Sequence, residues 1–582
     1  MKNQFYFSFI LFILFMSICN RANAQAPAWL LASDFGSTGN DYAAGSTVDP
    51  AGNFYSTGTF LASMDVDPGP ETRTLTSAGL SDVFVNKYDA SGNLAWAVSF
   101  GGAADDFAGS MAVDAGSGSI YLTGFFQGKV DFDPGVGTVY LSSTGASDSY
   151  IVKLDSSGNL VWAKSLGGPT DDLGIWVTVA DPGSDDIYFT GTYLGTLDFD
   201  PDTANAVNLT SKGVTDIYVL KLDGDGNFLW ARSMGGLATD NGLAMAVDPA
   251  GSGDVITTGR FGGTTVDFNP DPAETFNLTN VGNQSAFISR LDKDGNFVWA
   301  KAITGPKNVY GNSIAIAPDG SGDIYATGLY NGVVDFDPGS GTTELPDMGF
   351  DGFIVKFDEQ GNFEWANAVG GTGFDRGVSL VMDNQGTGDF FLGGSFEFTA
   401  DLDPGSETFT LTSAGDDDIF IARYDDAGSF KWAKSVGGEL GDYMTPLSQD
   451  AEGHLFLGGQ FGSSEISFDS ITLTNTTSNA NSDIFFAKLE NSFPSAVIQS
   501  SRVVANIFPN PFSDVLTIEL EDTYYQQALL TCMNARGEII FSKEKHEWIN
   551  GNAIDTKALI PGVYFIELKA EGQSYVIKVI KQ

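Results

Sequence analysis

The sequence predicts an all-β protein: a seven-bladed β-propeller closed by its N-terminal strand, followed by a small C-terminal β-sandwich. Three observations predict it. A tryptophan returns every 66 to 69 residues, at Trp29, Trp96, Trp162, Trp230, Trp299, Trp365 and Trp432. Each period holds four short strand-like runs separated by Gly/Asp/Asn turns, the arithmetic of a propeller blade. The array also begins and ends on incomplete copies that complement each other.

Residues 1–24 read as a signal peptide. Lys2 precedes an apolar run from Phe5 to Ile18, and Ala22-Asn23-Ala24 offers a small-x-small cleavage site before Gln25. Ile18 before Cys19 does not suit a lipoprotein site. The apolar run is too short to anchor the chain in a bilayer, so a soluble or otherwise tethered product is expected. The other cysteine is Cys532. With no internal disulfide available, stability is expected from packing and from bound ions.

Residues 25–490 carry the repeats. The stretch DVFVNKYDASGNLAWAVSFGG from Asp82 returns from Asp148, Asp216 and Asp351, and more loosely from Ala286 and Asp418. Val83, Val85 and Lys87 alternate with Phe84, Asn86 and Tyr88, and Asp-x-x-Gly-Asn then supplies a tight hairpin before Leu94 and Trp96. A second hairpin, as at 110–126, precedes each copy. An orphan Trp strand at 28–36 and an orphan DIFFAKLE at 483–490 predict that residues 28–33 complete blade seven and remove the open seam.

The pattern D-x-x-G-N-x-x-W-A-x-x-x-G-G, with V-D-x-x-G-N-x-Y-x-T-G at 48–58, resembles the SBBP-type β-propeller repeats of secreted bacterial proteins. Its D-x-x-G-x-x-x-W portion is similar to the tryptophan-docking motif of pyrroloquinoline-quinone-type propellers. That resemblance implies that all seven tryptophans rivet one blade to the next, with ligand stacking as the alternative.

Charge is the strongest compositional signal. The formal net charge is −45, nearly all of it on the repeats, which disfavours nucleic acid and anionic membranes and favours cations. An Asp-x-Asp-Pro motif recurs at Asp65/Asp67, Asp131/Asp133, Asp198/Asp200, Asp335/Asp337 and Asp401/Asp403, with Asp267/Asn269 as a variant and Ser467/Asp469 in the last repeat. Residues i and i+2 of an extended chain point the same way, which sets two carboxylates side by side. One reading is a Ca²⁺ per blade on six blades. The other is turn chemistry before Pro-Gly. The Asp223 and Asp292 loops imitate the start of an EF-hand but lack its terminal Glu in register, and read as hairpin turns. The inserts are expected on one face with the Gly101-Gly102 type of blade-to-blade loop, where a ligand would be sought.

No catalytic constellation stands out, and the sequence assigns no catalytic residue. His454 fills the turn slot of Asn53, and His546 lies outside the repeats; neither adjoins a base or ligand motif. Carboxylates meeting across the central channel keep a polysaccharide-acting enzyme open as an alternative. The main expectation is a binding or adhesion module with an unidentified glycan or protein ligand; a structural surface-layer component is the third.

Residues 491–505 form a linker, and 506–582 change character. Pro509-Asn510-Pro511, the Leu559–Tyr564 strand entry with Gly562 and Tyr564, and the terminal Lys578-Val-Ile-Lys581 resemble the type A C-terminal sorting domain of type IX secretion cargo. This resemblance implies Sec export, engagement of the type IX machinery, and release or attachment at the outer surface.

Overall fold

The computed structural model describes residues 26–490 apart from 38, 170–172, 180–184, 203–204, 347 and 476–480, and within 505–581 the strands and a few residues between them. The chain divides into two compact units between Pro494 and Ser495.

Among the described residues of the first unit, seven four-stranded antiparallel sheets follow one another. Sheet 1 consists of Tyr42–Val48, Phe54–Asp65, Thr74–Tyr88 and Leu94–Phe100, hydrogen-bonded in chain order. Sheets 2 to 6 repeat this plan over 107–166, 173–234, 240–303, 309–371 and 376–436. Sheet 7 has its first strand broken into Asp442–Met444 and Ser448–Gln449, then Leu455–Phe461 and Asp483–Leu489. Its fourth strand comes from the other end of the repeats. Trp29–Ser37 pairs antiparallel with Asp483–Leu489, with Ala32 opposite Ala487 and Phe35 opposite Ile484.

The first strands of successive sheets touch from sheet 1 to sheet 6. The first strand of sheet 7 then meets sheet 6, and Tyr42–Val48 lies against sheet 7, so the circuit closes. Ser46 Oγ and Thr445 Oγ1 are 2.7 Å apart at that seam. Separate apolar cores fill the spaces between neighbours; Phe54, Phe84, Phe456 and Phe486, for example, pack sheet 7 on sheet 1. The second and third strands are buried on both faces, which explains their runs of Val, Ile, Phe and Tyr. The Thr-Gly of the second strand has a steric reason. A Cβ on Gly58 would lie 2.7 Å from the ring of Phe84, and Thr57 Oγ1 donates to the Phe84 carbonyl at 2.8 Å.

Between strands two and three a two-stranded insert hairpin carries the Asp-x-Asp residues. It reaches back to the preceding sheet: Gly101 pairs with Asp131, Gly235 with Asp267, Thr304 with Asp335, Gly370 with Asp401 and Gly36 with Asp65. Inserts and sheet-to-sheet loops therefore occupy one end of the sheets, and the Asp-x-x-Gly turns the other.

The second unit contains a sheet of Ala505–Phe508, Val515–Leu520 and Asn552–Asp555, and a second of Ile539–Trp548, Tyr525–Asn534, Gly562–Ala570 and Gln573–Lys581. Cys532 is buried there, and burial pushes its thiol up to about 11, which leaves it inert.

Candidate functional site

At the turn end, the repeat's signature residues hold one sheet on the next. Trp96 of sheet 1 lies against Gly158 in the hairpin turn of sheet 2; a Cβ there would sit 3.0 Å from the indole. Gly158 has φ +82°, a conformation glycine adopts without strain. Trp162, Trp230, Trp299 and Trp365 meet Gly226, Gly295, Gly361 and Gly428 in the same way. The indole N–H of Trp96, Trp162, Trp230 and Trp299 donates to a carbonyl of that turn at 3.0–3.2 Å. Trp432 is buried beside Phe391, and because the third and fourth strands of sheet 7 come from opposite ends of the repeat region, no Asp-x-x-Gly turn joins them to receive it.

Trp29 departs from this expectation. In the register of sheet 7 it is Leu31 that stands opposite Lys488, as Trp96 stands opposite Lys87, and Leu31 covers Gly92. Trp29 falls two residues earlier and packs edge-on against Phe468 at 4.9 Å. The docking position of the closing strand is thus held by leucine.

A basic residue beside each tryptophan was not singled out in the sequence, although it recurs at the sixth position of each copy. Lys87, Lys153, Lys221, Lys356 and Lys488 lie 4.9–5.3 Å over aromatic rings of the second strand. Several also grip the next sheet's turn. Lys153 Nζ donates to the Gly224 carbonyl at 2.8 Å, Arg290 Nη1 to that of Glu359 at 2.8 Å, and Lys356 Nζ lies 2.6 Å from Asp426. Burial opposes the charge on Lys356, but Asp323, Asp426 and Glu364 hold its proton well above the ordinary lysine range.

At the insert end, the first aspartate of each Asp-x-Asp pair organises its own hairpin. Asp131 Oδ1 accepts from the N–H groups of Asp133 at 3.2 Å and Val139 at 2.8 Å. Asp65, Asp198, Asp267, Asp335 and Asp401 do the same. The second residues, Asp67, Asp133, Asp200, Asn269, Asp337 and Asp403, accept from an N–H two residues on at 2.7–3.0 Å. Among the described residues, no group of three or more His, Cys, Asp or Glu side chains converges as a metal ligand set. His454 does the work of an asparagine, its Nδ1 lying 2.9 Å from Asp450 Oδ2 where Asn53 Nδ2 reaches Asp49 at 2.7 Å. The side chain of His546 lies outside the described residues.

The insert end also exposes large apolar side chains. Leu80, Val136, Tyr140, Leu237, Val281 and Phe398 are 54–109% exposed. Elsewhere on the described sheets such residues lie on outermost strands, as Leu30, Val161, Leu229 and Val298 do. Phe398 stands out further. Its φ is +56°, at a position where other repeats carry Gly128, Gly195 and Gly332 and the first carries the small Ala62 at +59°. The equivalence is fixed by one shared hydrogen bond: Ser413 N–H donates to the Phe398 carbonyl at 2.8 Å, as Ser143 does to Gly128. A bulky residue held left-handed and turned to solvent costs folding energy that its own contacts do not return. Beside the same sheet, Asp403, Glu407, Asn367 and Phe430 line a groove of about 430 Å³. Its counterpart, with Arg232, Asn269, Glu274 and Phe297, measures about 610 Å³.

In the C-terminal unit, Gly562 opens a strand and pairs with Lys581. The Tyr564 hydroxyl donates to the Ile560 carbonyl at 2.9 Å. Lys581 is buried, and its ammonium donates to the carbonyls of Ser513 and Thr556. Lys578 pairs with Phe565 through the backbone. Pro509, Asn510 and Pro511 lie outside the described residues.

Comparison with known proteins agrees with this division. Residues 506–582 match the family described as secretion system C-terminal sorting domain. The chain is 24% identical over 423 residues to an uncharacterized WD repeat-containing protein of Acanthamoeba polyphaga mimivirus, covering 63% of this chain and 30% of that one. It is 26% identical over 387 residues to regulatory protein FlaEY of Caulobacter vibrioides, covering 64% and 37%. The chain thus spans about a third of the length of these curated relatives. Sqt1 from Chaetomium thermophilum aligns with a TM-score of 0.33 at 12% identity, over 76% of this chain and 83% of that one. The fold and the repeats define a β-propeller repeat protein. Its C-terminal unit is a type IX secretion sorting domain, which marks the chain for secretion or attachment at the cell surface. Among the described residues, no helix is long and apolar enough to cross a membrane.

Proposed function

We propose that the chain is an exported binding or adhesion module: a seven-bladed propeller, closed by residues 29–37, whose ligand surface is the insert end. The signal peptide ending near Ala24 starts the route, and the sorting domain, a small β-sandwich, completes it through the type IX machinery. The observation that carries the binding reading is Phe398. The turn end is given over to docking, whereas the insert end keeps an exposed aromatic in a strained backbone conformation and exposes Tyr140, Val136 and Leu237 in the loops of other repeats. Strain at an exposed position persists where function retains it, and exposed apolar groups rimmed by acids mark an interaction surface.

Calcium remains part of this proposal at the Asp-x-Asp loops, where an ion would use the carboxylate oxygens that the backbone N–H groups leave over. The test is binding of the mature chain to an array of bacterial and host polysaccharides, with and without Ca²⁺, against a Val136→Ser/Tyr140→Ser/Phe398→Gly variant. Retained melting temperature with lost binding supports the reading. Equal binding by both proteins contradicts it.

A further inference from the structure

Buried aspartates come in pairs at the insert end, and neither docking nor binding accounts for them. One stands on the third strand of a sheet and the other at, or one residue before, the start of the first strand of the next. The pairs are Asp82/Asp106, Asp216/Asp240, Asp351/Asp375 and Asp418/Asp442, each separated by 24 residues, and Asp483/Asp41 across the closure. All ten are 0–3% exposed. The loop between sheets is built around them. A Cβ at Gly101, Gly235 or Gly437 would fall on the carboxyl of Asp82, Asp216 or Asp418, so the first glycine of each Gly-Gly makes room for an acid. At Gly370 the same point lies 2.9 Å from both Asp351 Oδ1 and Asp375 Oδ2, so the two carboxyls face each other across the glycine.

Their hydrogen bonds are unequal. In the second member both oxygens accept backbone N–H groups: Asp106 from Gly102 at 2.6 Å and Gln127 at 3.1 Å, and Asp240 from Gly236 at 2.7 Å and Gly262 at 3.0 Å. In the first member Oδ2 accepts one, from Ala78 to Asp82 at 2.8 Å and from Ala414 to Asp418 at 2.9 Å. The Oδ1 atoms of Asp82, Asp216 and Asp418 are buried without a hydrogen-bond partner. Burial is the main influence on these carboxyls and the neighbouring acid adds to it: Asp41, Asp106 and Asp375 are pushed up to about 7, and Asp240 and Asp442 to about 6. The charged groups around the pairs are mostly acids too: Asp34 beside Asp483, Asp105 beside Asp106, Glu397 beside Asp375 and Asp417 beside Asp418. Among the described residues Lys212 is a cation near Asp216 and Asp240, half exposed and engaged with Asp267.

One junction dispenses with the pair. Between sheets 4 and 5, Ser285 stands where the first aspartate would be, fully buried, and donates from Oγ to Asn280 Oδ1 at 2.6 Å. Asn331 Oδ1 there accepts the Asn308 N–H at 3.0 Å. Neutral donors and acceptors thus satisfy the same place in the repeat. A cation suits it less well, because three of the four carboxylate oxygens of a pair already face N–H dipoles.

We infer that each aspartate pair binds one proton between its two carboxyls, donated from the first member's Oδ1 toward the second, so that the junctions form a pH-sensitive latch between blades. Two acids this close titrate as a unit rather than singly. Because the folded-state values lie above the unfolded one, the stabilisation is fully present below about pH 4 and is lost as pH rises through 6 to 7.

The test is a set of thermal melts of the mature full chain at pH 5 and pH 8, in EDTA and in excess Ca²⁺, with Asp82→Asn and Asp418→Asn alongside. An amide reproduces the protonated acid. The expected result is a melting temperature several degrees lower at pH 8 than at pH 5 in EDTA, with each variant narrowing that gap by raising the pH 8 value. Infrared spectra give a second readout that does not depend on a variant's stability: a carboxylic-acid carbonyl band present at pH 6 in the parent and absent at pH 9. Melts that are flat or rise between pH 5 and 8, or no acid band at pH 6, would overturn the inference. So would a Ca²⁺-dependent gain at pH 8 that Asp82→Asn abolishes, which would make the pairs ion sites.

Discussion

Gly158 and Phe398 show what single residues contribute here. Gly158 is required twice, by its left-handed backbone and by the indole of Trp96 lying on it. Gly158→Ala is expected to destabilise the chain by about 1 to 3 kcal/mol in urea unfolding. Phe398→Gly runs the other way: relieving the positive φ is expected to add up to about 1 to 2 kcal/mol of stability while weakening ligand binding. Much of this was legible in the sequence. The tryptophan period and the Asp-x-x-Gly turn together identify the docking pair in complete copies. Trp29 shows where that logic stops. In the incomplete copy the register is that of Leu31–Phe35 paired with Ile484–Lys488, and that pairing spans most of the chain. The paired aspartates were hidden for a related reason: all copies but the one led by Ser285 display a leading Asp, but the partner 24 residues on belongs to the next sheet, and only packing brings the two together.

The insert hairpin is the element whose chemistry the sequence left open. Its Asp-x-Asp spacing serves turn and ion equally, and the hydrogen bonds to Asp131 Oδ1 identify the turn's share. Asp131→Ala leaves two N–H groups without their acceptor and is expected to cost about 1 to 2 kcal/mol in EDTA. The same comparison in excess Ca²⁺ measures separately what an ion adds. The closing strand is the other decisive element. Leu31 takes the place of a tryptophan over Gly92, and Leu31→Ala is expected to cost about 2 kcal/mol and to lower the melting temperature of the whole repeat region, because losing this contact loosens the seam.

For the molecule as a whole, a net charge of −45 means self-repulsion in the folded state. Screening shortens its range, so added NaCl is expected to raise the melting temperature between low and physiological ionic strength. Acid acts from two directions. The turn carboxylate of Asp89, held below the usual range by Asn93 and by backbone N–H groups, contributes stability above that range that is lost as pH falls through its lowered value. The junction pairs contribute in the opposite sense, their stabilisation waning from about pH 4 upward, which places maximal stability near pH 4. Everything rests on the two ends of the repeat region joining in one sheet. Oxidative cross-linking of an Ala32→Cys/Ala487→Cys variant tests that most directly, since these residues are partners across the closing strands. The predicted result is an intramolecular disulfide in a monomer, seen as faster migration without reductant. Absence of a cross-link, or a cross-link found only in dimers, would contradict closure of the ring within one chain.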